Sequence, residues 1–139
     1  MRRKTVSFLI RDVGMGSEYP VTVQSMTNTD SHDVTATLAQ VEQLVALGAA
    51  IVRVAAPDMA AVPAVAEVAR QSSVPIVADV HFDYRIAIAA LEQGVDAVRI
   101  NPGNIGGLDK LEAVVEAAKK ADAAIRIGVN SGSVEKELL

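Results

Sequence analysis

Short apolar runs alternate along the chain with longer stretches in which apolar residues return every three or four positions. The first short run covers 21–26, and the first periodic stretch covers 34–47. A short apolar run is typical of a buried strand, whereas the three-to-four period indicates a helix with one apolar face. Asp33 fits the N-cap of this helix and Gly48 fits the position after its end. The pattern therefore predicts a strand followed by a helix.

The same strand–helix unit recurs four more times. Equivalent strand residues, namely Arg53, Asp79, Arg99 and Arg126, are 26, 20 and 27 residues apart, which is about the length of one βα unit. Pro63 fits the second helix if that helix starts near Ala61, because proline is tolerated in a first turn. The later predicted strands cover 50–55, 75–82, 97–101 and 124–130, and the later predicted helices cover 58–71, 84–93, 108–120 and the first turn of another at 134–139.

Two architectures are built from such units, a doubly wound open sheet and a barrel. A nucleotide-binding open sheet requires G-x-G-x-x-G between the first strand and a helix. Residues 13–18 offer only G-x-G, precede that strand and lead to no helix, so we predict a turn of an N-terminal hairpin there. A barrel instead requires polar residues at the carboxyl end of each strand. We therefore predict an α/β fold, with residues 1–139 forming the N-terminal part, about five βα units, of a TIM (β/α)8 barrel.

Polar side chains do occur at the carboxyl ends of the predicted strands. Residues two or four apart in a strand share a face, so each strand directs its polar residues to one place, where the active sites of parallel barrels lie. These residues are Gln24 and Ser25 on the first strand, Arg53 on the second, Asp79 and His81 on the third, Arg99 and Asn101 on the fourth, and Arg126 and Asn130 on the fifth.

The three arginines of this set indicate a phosphate ligand. Three guanidinium groups in one place repel each other unless an anion lies between them, and their planar forks match phosphate oxygens. We predict a diphosphate-bearing ligand, with further backbone N–H donors from the loop PGNIGG at a helix start. The alternative for each arginine is an ion pair with a carboxylate such as Asp79 or Asp83.

His81 admits three interpretations. It is a structural residue, a general acid or anion contact oriented by Asp79, or, together with Asp79, part of a metal site. Because the only other histidine, His32, lies in a different loop, too few ligands are available here for a three-ligand metal site, and we predict no metal. Packing against the neighbouring βα unit is the default explanation for Phe82 and Tyr84.

Composition narrows the possible partners. Thirteen basic and 17 acidic residues give a net charge of −4, which offers no reason to expect nucleic acid or an anionic membrane surface. No apolar run approaches the roughly 20 residues of a membrane span, and no long apolar signal segment opens the chain, so we expect a cytoplasmic protein. The absence of cysteine excludes disulfides, Cys-ligated zinc and Cys-ligated iron–sulfur clusters from this chain.

Five segments in order, VQSMTNTD, IVRVAAPD, VADVHFDYRIA, VRINPGNIG and IRIGVNSGSVEKEL, resemble the 4-hydroxy-3-methylbut-2-enyl diphosphate synthase family of the non-mevalonate isoprenoid pathway. The resemblance covers residues 4–139. It implies a TIM barrel that binds 2-C-methyl-D-erythritol 2,4-cyclodiphosphate. The diphosphate would be held by the arginines at Arg53, Arg99 and Arg126, and the polar partners would be Asp79, His81, Asn101 and Asn130.

The resemblance also implies an oxidoreductase. The family reaction is a two-electron reductive opening of the cyclic diphosphate with loss of water, with electrons from flavodoxin or ferredoxin delivered through a [4Fe–4S] cluster. Family members hold that cluster with three cysteines and a glutamate in a separate C-terminal domain. They act as homodimers in which the cluster domain of one chain covers the barrel of the other.

This sequence departs from the family pattern in three respects. It has no cysteine, it lacks strands six to eight of the barrel, and it lacks a phosphate-binding lysine of the family. We therefore interpret the chain as an N-terminal fragment without the C-terminal iron–sulfur domain. We expect it to contain no catalytic residue, to be inactive alone and to associate through unpaired strands. The alternatives are a pterin-binding-type TIM-barrel synthase and a non-catalytic interaction module.

Overall fold

Parallel strands that alternate with helices form the main body of the protein in the computed structural model, which describes residues 3–134. An antiparallel hairpin precedes five strands in the order β3-β4-β5-β6-β7, in which every neighbouring pair is parallel. The strands are β1 Phe8–Ile10, β2 Val13–Met15, β3 Gln24–Met26, β4 Ile51–Ala55, β5 Ile76–Asp79, β6 Ala97–Ile100 and β7 Ala124–Ile127, and the helices are α1 Val34–Ala46, α2 Val62–Gln71, α3 Tyr84–Glu92 and α4 Leu108–Ala121.

The helix boundaries follow from local chemistry. Asp33 accepts a hydrogen bond from the Ala36 N–H at 2.9 Å and caps α1, and Gly48 follows the helix with a φ of 101°. A short 3-10 turn, Met59–Ala61, leads into α2, so that Pro63 lies in the first turn. These predictions are confirmed. Residues 135–139, which carry most of the predicted final helical turn, lie outside the described residues.

The main core lies between the outer face of the sheet and the helices. Alternate strand residues such as Val52, Val54, Ala78 and Val98 are fully buried beneath the helices. The intervening residues, Arg53 among them, face the concave inner side of the sheet. The described part of the chain contains no helix long and apolar enough to cross a membrane.

The N-terminal hairpin closes the base of the concave face. Ile10 of β1 joins Ile51, Val77 and Ala97 in a second, smaller apolar cluster. The predicted hairpin is present, but the turn is placed wrongly, because Val13–Met15 forms the second strand and the chain turns at residues 11–12. A three-residue strand is too short to show a period of two, which explains the error.

The hairpin is fastened to the sheet through one turn residue. Arg11, with a φ of 54°, donates to the Ser72 carbonyl at 3.3 Å and lies 3.8 Å from the Asp96 carboxylate. Asp96 accepts from the Ile76 N–H at 2.8 Å, and burial raises the pKa of its carboxyl group.

The five-stranded parallel sheet with its alternating helices confirms the predicted partial barrel. β5 ends at Asp79 rather than at residue 82, and the two outer strands are also shorter than predicted: β3 begins at Gln24 rather than at residue 21, and β7 ends at Ile127 rather than at residue 130. Each of the two outer strands is hydrogen-bonded to one neighbouring strand within the described residues. Pairing on one side does not account for all of the shortening, because β5 is paired on both sides.

Candidate anion-binding site at the carboxyl ends of the strands

Four charged residues lie together on the concave face near the carboxyl ends of the strands, and we call them the arginine layer: Arg53, Asp79, Arg99 and Arg126. The sheet register places Asp79 of β5 beside Arg99 of β6, and Arg99 beside Arg126 of β7. Because parallel strands in register direct matching positions to the same side, one face collects charges from four strands. The predicted grouping of these residues on one face is present.

Asp79 is the central counter-charge of the arginine layer. Its side chain is 2% exposed, and its two carboxylate oxygens lie 3.4 Å from the Arg53 Nε and 3.2 Å from the Arg99 Nη1. Arg53 and Arg99 therefore each form the ion pair that was the alternative to a phosphate ligand, and Asp79 is the carboxylate in both. Asp83, the other carboxylate considered, instead pairs with Arg85 at 2.7 Å.

Arg126 is held differently. Its Nη1 donates to the Gln24 Oε1 at 2.5 Å, and no carboxylate pairs with it among residues 3–134. Within that range, three guanidinium groups thus face one carboxylate, which leaves an excess of two positive charges in the arginine layer. The Arg99 Nε is also buried without a hydrogen-bond partner in the described structure. This arrangement can accept an anion.

His81 lies at the rim of the arginine layer. Its side chain is 49% exposed, and its Nε2 lies 3.7 Å from the Asp79 carboxylate. The ring stands 6.0 Å, centroid to centroid, from the exposed Phe82 ring. His81 thus lies within ion-pair distance of Asp79, and its accessible surface can contact a ligand, so the choice between a structural role and a ligand contact stays open.

The two predicted asparagines support the loops that follow β6 and β7. Asn101 is 2% exposed, and its side chain donates to the Ser133 Oγ at 2.8 Å and accepts from the Gly103 N–H at 3.1 Å. Asn130 accepts from the Gly132 N–H at 3.0 Å. Neither amide is hydrogen-bonded to an arginine of the layer in the described structure.

Ser133 is a residue that the sequence pattern did not single out. Its hydroxyl contacts the Asn101 side chain and also the backbone of Asn130, at 3.1 Å, and so joins the two loops. Gly103 packs so closely against the Ser133 carbonyl that an added Cβ would lie 2.3 Å from it. A small polar residue in a loop carries no sequence signal for such a contact.

His32 links two other loops on the same side of the sheet. Its ring nitrogens lie 2.7 Å from the Asp30 carboxylate and 3.1 Å from the Asp58 carboxylate, and the hydrogen bonds to Asp30 and Asp58 raise the pKa of His32. It does not join the arginine layer. In the part of the chain that the structure describes, no group of three or more His, Cys, Asp or Glu side chains is placed to hold a metal ion.

The residues present do not fit an iron–sulfur cluster. The sequence contains no cysteine, and the two histidines contact carboxylates in separate loops. The ligand set that the resemblance implies is thus not supplied by this chain.

The loop at residues 102–107 takes the predicted place before α4. Gly106 has a φ of 105°, and the N-cap residue Gly107 provides no side-chain hydrogen bond to the helix start. The Lys110 ammonium lies 5.8 Å from the centre of the Tyr84 ring. Anion binding by this loop stays a prediction.

Solved structures with a similar fold include two dihydropteroate synthases. The enzyme of Yersinia pestis matches with a TM-score of 0.66 over 94% of this chain and 49% of that chain, and that of Vibrio fischeri matches with 0.64 over 88% and 48%. The sequence identities are 14% and 13%, so the similarity concerns the fold alone.

Much closer sequence relatives carry the name 4-hydroxy-3-methylbut-2-en-1-yl diphosphate synthase (flavodoxin). The protein of Maridesulfovibrio salexigens is 54% identical over 99% of this chain, that of Lawsonia intracellularis 52% over 100%, and that of Chromohalobacter salexigens 56% over 99%. The chain spans 37 to 39% of the length of these relatives. The model of the GcpE TIM-barrel domain matches residues 5–139. The chain therefore belongs to the GcpE TIM-barrel domain family.

Proposed function

We propose that residues 1–139 form the substrate-binding barrel segment of a 4-hydroxy-3-methylbut-2-enyl diphosphate synthase, which binds 2-C-methyl-D-erythritol 2,4-cyclodiphosphate. The observation that carries this proposal is the excess of two positive charges in the arginine layer. Guanidinium groups bind phosphate oxygens through paired, charge-assisted hydrogen bonds. The names of the relatives support a diphosphate as the ligand.

Each residue of the site has a distinct part in this proposal. Arg126 and Arg99 bind the diphosphate oxygens, because Arg126 lacks a carboxylate partner and Arg99 keeps a buried N–H group without an acceptor in the described structure. Arg53 completes the positive surface while Asp79 holds it in place. His81 contacts the ligand from the rim. Asn101 and Asn130 shape the loops that border it.

The proposed overall reaction adds two electrons and two protons to the cyclic diphosphate, opens its ring and releases water. The donor is flavodoxin or ferredoxin, and the complete protein is a cytoplasmic homodimer. A [4Fe–4S] cluster supplies the electrons in this proposal, and its ligands belong to a C-terminal domain outside these 139 residues. This chain then contributes binding and orientation, and none of its residues is assigned a catalytic step.

Calorimetric titration tests the proposal on the complete protein, expressed from the uninterrupted reading frame that encodes this chain. We expect the cyclic diphosphate to bind, and Arg126→Met to weaken binding at least tenfold, as is typical of losing a hydrogen bond to a charged group. Arg70→Met is the matched control, because Arg70 lies on α2 and pairs with Glu67. Tighter binding of a pterin diphosphate than of the cyclic diphosphate would overturn the proposal in favour of a pterin-binding synthase.

A further inference from the structure

We infer that Gln24 is a positioning residue that orients Arg126 for diphosphate binding, an inference that rests on the proposed function. Gln24 lies on β3 and Arg126 on β7, the two outer strands of the described sheet. The two residues are 102 positions apart in sequence, and their side chains meet across the concave face. The contact is thus made across the sheet rather than between neighbouring strands.

Gln24 is the hydrogen-bond partner that the structure gives the Arg126 side chain within residues 3–134. Arg53 and Arg99, by comparison, both pair with the buried Asp79 carboxylate. Each also has a second partner, since Arg53 donates to the Met26 Sδ at 3.2 Å and Arg99 donates to the Gly128 carbonyl at 3.3 Å. A long exposed arginine side chain loses considerable rotamer entropy when it is fixed. Fixing Arg126 before the ligand arrives lowers the ordering cost that binding would otherwise carry.

The chemistry of the amide is well suited to this position. A glutamine oxygen accepts the guanidinium hydrogen bond without a negative charge, so Arg126 remains available to an anion. A carboxylate at the same position would accept an even stronger bond but would neutralise one of the two excess positive charges. Gln24 can therefore position Arg126 without neutralising its charge.

The contact also borders a mainly apolar cavity. A half-open cavity of about 400 Å³ lies beside it, lined by Ile51, Val77 and Ala97 of the sheet and by Ile10 and Met15 of the hairpin. Besides Gln24 and Arg126, Thr22 is the one other polar residue among those that line this cavity, and its hydroxyl donates to the Met15 Sδ at 3.7 Å. The loss of the Gln24 oxygen would therefore direct Arg126 outward into solvent.

Two substitutions test separately whether Gln24 must accept the hydrogen bond from Arg126 and whether residue 24 must be uncharged. Gln24→Leu removes the acceptor at similar volume, and Gln24→Glu keeps the acceptor but adds a charge. Gln43→Leu is the matched control, because Gln43 is exposed on α1. Titration of the complete protein with the cyclic diphosphate and with inorganic pyrophosphate gives the affinities, and thermal unfolding shows whether each variant is folded.

We expect Gln24→Leu to weaken binding of both ligands by about tenfold. We expect Gln24→Glu to keep or raise the unfolding temperature and yet to weaken binding, with a smaller dependence of affinity on salt. A purely structural role of Gln24 would not produce this combination, because the glutamate variant preserves the contact.

Equal affinities of Gln24→Leu and Gln43→Leu would overturn the inference, and so would full affinity of Gln24→Glu. In both cases the wild type still binds the cyclic diphosphate, so the proposed function stands. If the wild type binds neither ligand, the proposed function itself fails. The two failures are thus distinguishable in one series of titrations.

Discussion

The buried carboxylate of Asp79 offers the sharpest test of the arginine layer. The substitution Asp79→Asn keeps the shape and one oxygen acceptor but removes the charge between Arg53 and Arg99. At an effective dielectric constant of about 20, each ion pair near 3.3 Å represents roughly 5 kcal/mol of attraction before desolvation is counted. After desolvation, breaking a buried pair from one side costs about 3–5 kcal/mol.

We expect the asparagine variant to lie at the lower end of that range, because its amide oxygen still accepts one guanidinium hydrogen bond. A loss of about 3 kcal/mol corresponds to a fall in the unfolding midpoint of roughly 10 °C for a domain of this size. Asp122→Asn is the control, since Asp122 is exposed and has a φ of 51°, a conformation that asparagine tolerates well.

The response to an anion completes the test. Without Asp79, three guanidinium groups face no carboxylate among the described residues, so inorganic pyrophosphate should bind several-fold more tightly and restore the unfolding midpoint. Calorimetric titration and differential scanning fluorimetry on the same samples measure both effects. An unfolding midpoint equal to that of Asp122→Asn would refute the counter-charge role, and weaker pyrophosphate binding would show that the positioning of Arg53 and Arg99 by Asp79 outweighs the repulsion between its charge and the anion.

Three further predictions concern other parts of the structure. The pKa of His32 is raised above 6.5, so its contribution to stability should be complete below that pH and lost as the pH rises through the folded pKa, which NMR titration of the ring and pH-dependent unfolding can follow. The pKa of Asp96 is raised, so stability should decrease as the pH rises through that pKa, and Asp96→Asn should remove this pH dependence. Asp96→Ala should instead lower the free energy of unfolding, measured with denaturant, by about 1–3 kcal/mol, because the Ile76 N–H loses its acceptor. Gly128→Ala would place a Cβ 2.4 Å from the Arg99 Nε and should weaken pyrophosphate binding in titration, whereas Gly132→Ala, with 3.4 Å to its nearest neighbour, should not.

The sequence by itself determined the features that depend on neighbouring residues. The helix period, the cap at Asp33 and the turn residue Gly48 are local, and the structure confirms them. The alternation of strand residues is also local, so the pattern alone was enough to identify the polar face that carries Arg53, Asp79 and Arg99. The parallel sheet and the partial barrel follow from the repetition of these local units.

Only the tertiary structure decided which groups satisfy each other on that face. The sequence left each arginine with either an anion or a carboxylate as its partner, and the fold assigns two of them to Asp79 and the third to Gln24. The bond between Gln24 and Arg126 depends on the curvature that accumulates over five strands, and no pattern within either strand encodes it. Sequence periodicity shows the face to which a side chain belongs, but the distance across the sheet decides what it can reach.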